Sequence, residues 1–132
     1  MDRRDFLKVT ALAGAGMTLL DTSAVLAHHG WAWATDENFE ITGTITAVKL
    51  GNPHGELTLD AKGANQGEKW TIEIGQPWRN ERAGLTKALL KTGTEVTILG
   101  KRAKDPKLKV AKAERVTIAG KNYDLYPERL GS

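Results

Sequence analysis

Phe39-Glu40-Ile41-Thr42-Gly43-Thr44-Ile45-Thr46-Ala47 decides the architecture. Phe39, Ile41, Gly43, Ile45 and Ala47 alternate with Glu40, Thr42, Thr44 and Thr46. That period of two puts one face of a strand on a core and leaves the other in water. Gly51-Asn52-Pro53 breaks the pattern, and Leu57 and Leu59 then alternate with Glu56, Thr58 and Asp60 as a second strand. The turn cluster Lys62-Gly63-Ala64-Asn65-Gln66-Gly67 leads to a third, in which Trp70, Ile72 and Ile74 stand against Lys69, Thr71 and Glu73.

After Gly75-Gln76-Pro77 the period changes. Leu85, Ala88 and Leu89 fall at i, i+3 and i+4, which predicts a short helix stopping at Thr92-Gly93. Val96-Thr97-Ile98-Leu99 reads as a fourth strand, Lys101 to Lys109 as a charged hairpin with Asp105-Pro106, and Val110 through Ile118 as a fifth strand. A turn at Gly120-Lys121-Asn122 precedes Tyr123-Asp124-Leu125-Tyr126, a short closing strand. Three strands, a helix and two strands is the order of an OB-type barrel, whose helix plugs one end between strands three and four. The expected fold is all-β with one short helix: a small five- to six-stranded antiparallel barrel, OB-like, over residues 39–126. Residues 28–38 form an N-terminal arm and 127–132 a C-terminal tail.

Upstream lies a leader. Arg3-Arg4 followed by Asp5-Phe6-Leu7-Lys8 resembles the twin-arginine export consensus, and a mildly apolar run follows from Val9 to Leu20. At roughly a dozen residues the run is too short for a permanent membrane span. Val25-Leu26-Ala27 suits signal peptidase, so residues 1–27 are expected to be removed and the mature protein to be periplasmic, with no membrane span left.

Composition narrows the chemistry. The chain has 132 residues, enough for one small core without staples. Its 19 basic and 16 acidic residues give +3. Three of each lie in the leader (Arg3, Arg4, Lys8; Asp2, Asp5, Asp21), so the balance survives cleavage and names no partner. Cysteine is absent, and both methionines, Met1 and Met17, leave with the leader. Thiolate blue-copper sites, iron–sulfur clusters and thioether Cu(I) storage are therefore excluded, and any metal must be held by nitrogen and oxygen.

The nitrogen is conspicuous. The chain has three histidines, His28, His29 and His54. Cleavage after Ala27 would make His28 the first residue, with a free amine and an imidazole Nδ1 that together chelate one ion. A further imidazole from His54 or His29 would give a three-nitrogen set suited to tetragonal Cu(II). Amine and imidazole titrate near pH 8 and 6.5, so both bind metal close to neutrality. Cleavage one residue earlier would give Ala27-His28-His29, also a copper chelate. The competing reading makes His28 and His29 a plain chain start and His54 a turn residue satisfied by backbone.

His28-His29, Gly43-Thr44-Ile45-Thr46 and Asn52-Pro53-His54 together resemble an uncharacterised family of small exported bacterial proteins that carry such motifs. Leu85-Thr86 through Lys91-Thr92-Gly93 and Val96 to Gly100 fit as well. The resemblance spans nearly the whole mature chain and implies no established activity.

A second candidate surface is basic. Lys101, Arg102, Lys104, Lys107, Lys109 and Lys112 crowd the hairpin between strands four and five. In OB folds that loop contacts oligonucleotides or oligosaccharides. Outside the cytoplasm nucleic acid is not expected, and an acidic protein, a lipid headgroup or an anionic glycan suits the charge, while the preferred reading is a solvated hairpin balanced partly by Asp105 and Glu114. Gln76-Pro77-Trp78-Arg79-Asn80 reads either as a stacking rim that exposes Trp78 and Arg79 or, slightly preferred, as a cap with Trp78 on the barrel end. No Ser-His-Asp set, phosphate loop or nucleotide fingerprint is present, so catalysis has little to stand on.

Overall fold

In the computed structural model, which describes residues 31–130, the alternating stretch forms β1, Phe39–Lys49. Ile41, Gly43 and Ile45 are buried, as their period demands. The register against the next strand shifts between Ile45 and Ala47, a bulge at Thr46. An extra residue reverses the alternation beyond it, so Ala47 is exposed and Val48, not Ala47, turns toward the core. β2 (Glu56–Ala61), β3 (Lys69–Glu73), β4 (Glu95–Arg102), β5 (Val110–Ile118) and β6 (Lys121–Asp124) follow.

The sheet order is β3-β2-β1-β4-β5-β6, and β3 also pairs with β5. That pair closes five strands into an OB-like barrel, with β6 added on the outside of β5. All neighbours run antiparallel except the closing β3–β5 pair, which is parallel, so the barrel is mixed where the sequence pattern suggested a purely antiparallel one. Period two sets which face is buried and is blind to strand direction. The interior is filled by Ile41, Ile45, Leu57, Leu59, Trp70, Ile72, Val96, Ile98 and Val116, with Phe39 stacked on Trp70 at 4.9 Å between ring centroids. Gly43 and Gly100 sit where strands cross closely. A Cβ on Gly43 would lie 2.6 Å from the Asp60 carbonyl oxygen, and one on Gly100 would collide with that of Lys112.

The one α-helix among the described residues is not where leucine spacing put it. α1 spans Pro77–Arg82, begins on a proline whose ring presets the first turn, and ends at Gly84, whose φ of +89° suits glycine. Residues 85–91 instead form successive turns closed by Leu89 N–H to Thr86 O and Leu90 N–H to Lys87 O. Leu85 and Leu90 are nevertheless buried, so the segment plugs the barrel end without being helical. The chain divides into the units Met1–Ala32 and Trp33–Ser132, and the barrel belongs to the second. At its start Ala34 bridges Ala103, with Thr35 N–H donating to Arg102 O and Lys104 N–H to Trp33 O. This tie fixes the arm to the β4–β5 hairpin.

Candidate functional site

On the outside of the barrel, alternation places Glu73 and Lys112 side by side across the closing pair. Their inward neighbours Ile72, Ala111 and Ala113 belong to the core. The Lys112 ammonium lies 2.7 Å from Glu73 Oε1, and His54 Nε2 lies 3.2 Å from Glu73 Oε2. The Glu73 carboxylate thus lies between the two, Oε1 in an ion pair without hydrogen-bond geometry. His54 arrives from the β1–β2 loop, where its Nδ1 is 3.1 Å from the carbonyl oxygen of Gly55. Each ring nitrogen thus faces an acceptor, and a neutral imidazole, with one N–H, donates to only one of them.

Tyr126 extends this cluster toward α1. The Lys112 ammonium lies 5.8 Å from the Tyr126 ring centroid, and the Arg79 guanidinium stacks on the same ring at 4.1 Å. Arg79 also donates to the carbonyl of Leu125 at 2.9 Å and stacks on Trp78 at 4.8 Å. Burial pushes the Tyr126 phenol above its ordinary value, Glu73 and Glu128 adding to the rise while Arg79 and Arg129 oppose it. The outcome is a continuous sequence of contacts, His54–Glu73–Lys112–Tyr126–Arg79–Trp78. Two candidates that the sequence held apart, the histidine turn and the tryptophan rim, are its two ends. Trp78 itself is 50 % exposed, its indole N–H donating to Gln76 Oε1, and Arg82 stacks on it at 5.5 Å. It does not cap the barrel. Arg79, by contrast, is largely covered.

The basic hairpin is not one exposed stripe. Lys101 is buried, 3.6 Å from Glu114 and bonded to Asn38 Oδ1, and Arg129 reaches Glu114 at 3.2 Å. Arg102 lies over Trp70 at 4.9 Å and donates to the carbonyls of Pro106 and Leu108. Lys109 pairs with Glu68 at 3.7 Å. Lys104 and Lys107 are exposed near the hairpin tip. Period two brings Lys101 and Lys112 to the same outer face as Glu73 and Glu114, and the covering C-terminal segment buries them. Glu73, Glu114 and Tyr126 were missed as site residues, and Lys112 was read only as part of the basic hairpin. The alternation of Lys112 and Glu114 with Ala111 and Ala113 was the one local sign of them.

Of the expected copper ligands, His28 and His29 lie outside the described residues, and His54 stands in the Glu73 cluster. Among the described residues no group of three or more His, Cys, Asp or Glu side chains is placed to hold a metal ion.

These features define a small OB-type barrel carrying a buried ionic cluster on its outer face. The chain belongs to the family of unknown function DUF6152, whose pattern matches residues 17–112. Residues 1–19 match the signal sequence of the twin-arginine translocation pathway, so the protein is exported, as fits the periplasm of a bacterium. No curated protein matches the chain. Among solved structures it is similar to the S. pombe Stn1-ten1 complex (17 % identity, 64 % of this chain, 59 % of that one, TM-score 0.47). It is also similar to the S. cerevisiae mitochondrial single-stranded DNA binding protein Rim1 (11 % identity, 64 % and 94 %, TM-score 0.48). A third is the ZRD-deleted mutant of TiaS in complex with agmatine (17 % identity, 64 % and 21 %, TM-score 0.45). The chain thus spans 59 % of the first of these and 21 % of the third.

Proposed function

We propose that this exported protein binds Cu(II) at a site created by processing, and serves metal binding, delivery or tolerance rather than turnover. Cleavage after Ala27 frees the amine of His28, which closes a chelate with its own imidazole. His29 and His54 are the remaining imidazoles available to complete the nitrogen set. The observation that carries the reading is the tie at Ala34–Ala103, with Lys104 N–H on Trp33 O at 2.9 Å. His28 is five residues from Trp33 in the sequence. A short tether lowers the entropy lost when a terminal chelate is ordered. Recruiting His54 would displace its contact with Gly55 or Glu73.

The test is a Cu(II) titration of protein beginning at His28, followed by electron paramagnetic resonance, beside the same protein extended by one residue. A 1:1 tetragonal spectrum with nitrogen couplings, lost on extension, is the expected result. Equal, weak binding by both proteins overturns it. A second reading, a metal-free interaction module for a protein or an anionic glycan, is favoured by Trp78, half exposed with Arg82 stacked on it. On that reading Trp78→Ala and not the extension abolishes binding.

A further inference from the structure

The end of the barrel plugged by residues 85–91 carries an open trough of about 900 Å³, lined by Val48, Leu50, Ala88 and Leu90 with Lys87 and Lys91. Leu50, Lys87 and Leu90 also line a narrower recess of about 170 Å³ that reaches Pro77 and Leu85. The two hollows share a wall. Leu50, 40 % exposed, is one of the two large apolar side chains that the described residues leave open, and it stands where they meet.

We infer that this trough binds a free long-chain fatty acid, its methylene chain along Leu50 and Leu90 and its carboxylate at Lys87 and Lys91. Three observations choose this occupant. The bulge at Thr46 turns Val48 inward, so the floor of the trough is aliphatic, and its only polar side chains are the two lysines. Such a lining reads no pattern of polar groups and suits a featureless chain with one charged end. The amides of Leu89 and Leu90 donate within their own turns, so neither is left to pair with a peptide backbone. Charge favours one direction: Lys91 borders the trough alone, Lys87 stands between trough and recess, and Glu81 borders the recess alone. The carboxylate therefore belongs at the lysine end and the tail runs toward Pro77 and Leu85. The trough alone, at about 900 Å³, is in the range that small-molecule sites occupy. The inference is independent of the terminal copper site.

Calorimetric titration of the mature protein with decanoate, dodecanoate and tetradecanoate, each below its micelle concentration, tests it. Binding should be 1:1 and strengthen about fourfold per added methylene. Leu50→Asp should weaken it at least about tenfold by placing an unpaired charge in the path of the chain. Ala88→Trp, at an exposed position, should fill the trough and do the same without disturbing the core. Lys87→Gln with Lys91→Gln should weaken dodecanoate by up to about fivefold and leave dodecanol unchanged. No saturable binding, affinity independent of chain length, or wild-type affinity in both Leu50→Asp and Ala88→Trp overturns the inference. So does binding only to phosphatidylglycerol vesicles or to an acidic peptide.

Discussion

Lys112 and Glu73 form a 2.7 Å ion pair between side chains only 9 % and 4 % exposed, across the one parallel contact that closes the barrel. Opposite charges at this depth owe their stability to each other, because neither retains the water it would have in the unfolded chain. Lys112→Met should therefore cost about 3–5 kcal/mol by stranding a buried carboxylate. The double variant Lys112→Met/Glu73→Leu should recover most of that loss. Urea unfolding of the four proteins in the cycle measures both effects.

Gly100 faces the backbone of Lys112 with no room for a Cβ, whereas a Cβ on Gly67 would meet nothing within 4 Å. Gly100→Ala should cost about 3 kcal/mol, because a strand rather than a side chain must move. Gly67→Ala, at φ +93°, should lose about 1 kcal/mol from backbone strain alone. Thermal unfolding of the two variants should place Gly100→Ala well below Gly67→Ala.

Trp70 Nε1 donates to Glu68 Oε1 at 2.9 Å and Asn65 Nδ2 to the same oxygen at 3.2 Å. These bonds, Trp70 foremost, favour the charged carboxylate and hold Glu68 below its ordinary value of 4.5. A lowered folded value means stability that is complete above the unfolded value and is lost as pH falls through the folded one. The stability gap between wild type and Glu68→Gln should then be open at pH 6 and narrow steadily below pH 4.5. Melting curves followed by far-ultraviolet circular dichroism across that range decide it. A gap constant with pH contradicts the assignment.

Leu85 is 2 % exposed in the non-helical plug, while Trp78 is 50 % exposed on α1. Leu85→Ala should cost about 2–5 kcal/mol as a cavity in the core. Trp78→Ala, despite removing the larger side chain, should cost less than about 1 kcal/mol, since Arg79 keeps its contacts with Tyr126 and Leu125. The reverse ranking, read by chemical denaturation, would mean that α1 rather than the 85–91 turns seals the barrel.

Strand alternation made most of the barrel legible. Phe39 to Ile45, Leu57 and Leu59, and Trp70 to Ile74 each bury one face against a common core, and that requirement is written locally. The helix was misplaced for the converse reason. α1 buries only Asn80, whose amide bridges the backbone of Gly75, so no apolar stripe announces it. Leu85, Ala88 and Leu89 carry a helical spacing, yet burying Leu85 and Leu90 at the barrel end is achieved by turns. The ionic cluster was harder still. Lys101 and Lys112 read as solvent charges because Glu114 meets Lys101 only when β4 pairs with β5, and Glu73 meets Lys112 only when β3 closes on β5. His54 was legible as a candidate ligand, but its contact with Glu73 depends on the end of a strand that pattern reading treats as solvent-facing.

The parallel β3–β5 contact also imposes an order on synthesis. A chain emerging from the ribosome can pair β1 with β2 and β2 with β3 as soon as each hairpin appears, but β3 keeps an open edge until residues 110–112 have been made. The arm waits as well, since Ala34 needs Ala103. The leader is thus translated long before the barrel that follows it can close. The interval between them is the time the ribosome takes to reach β5.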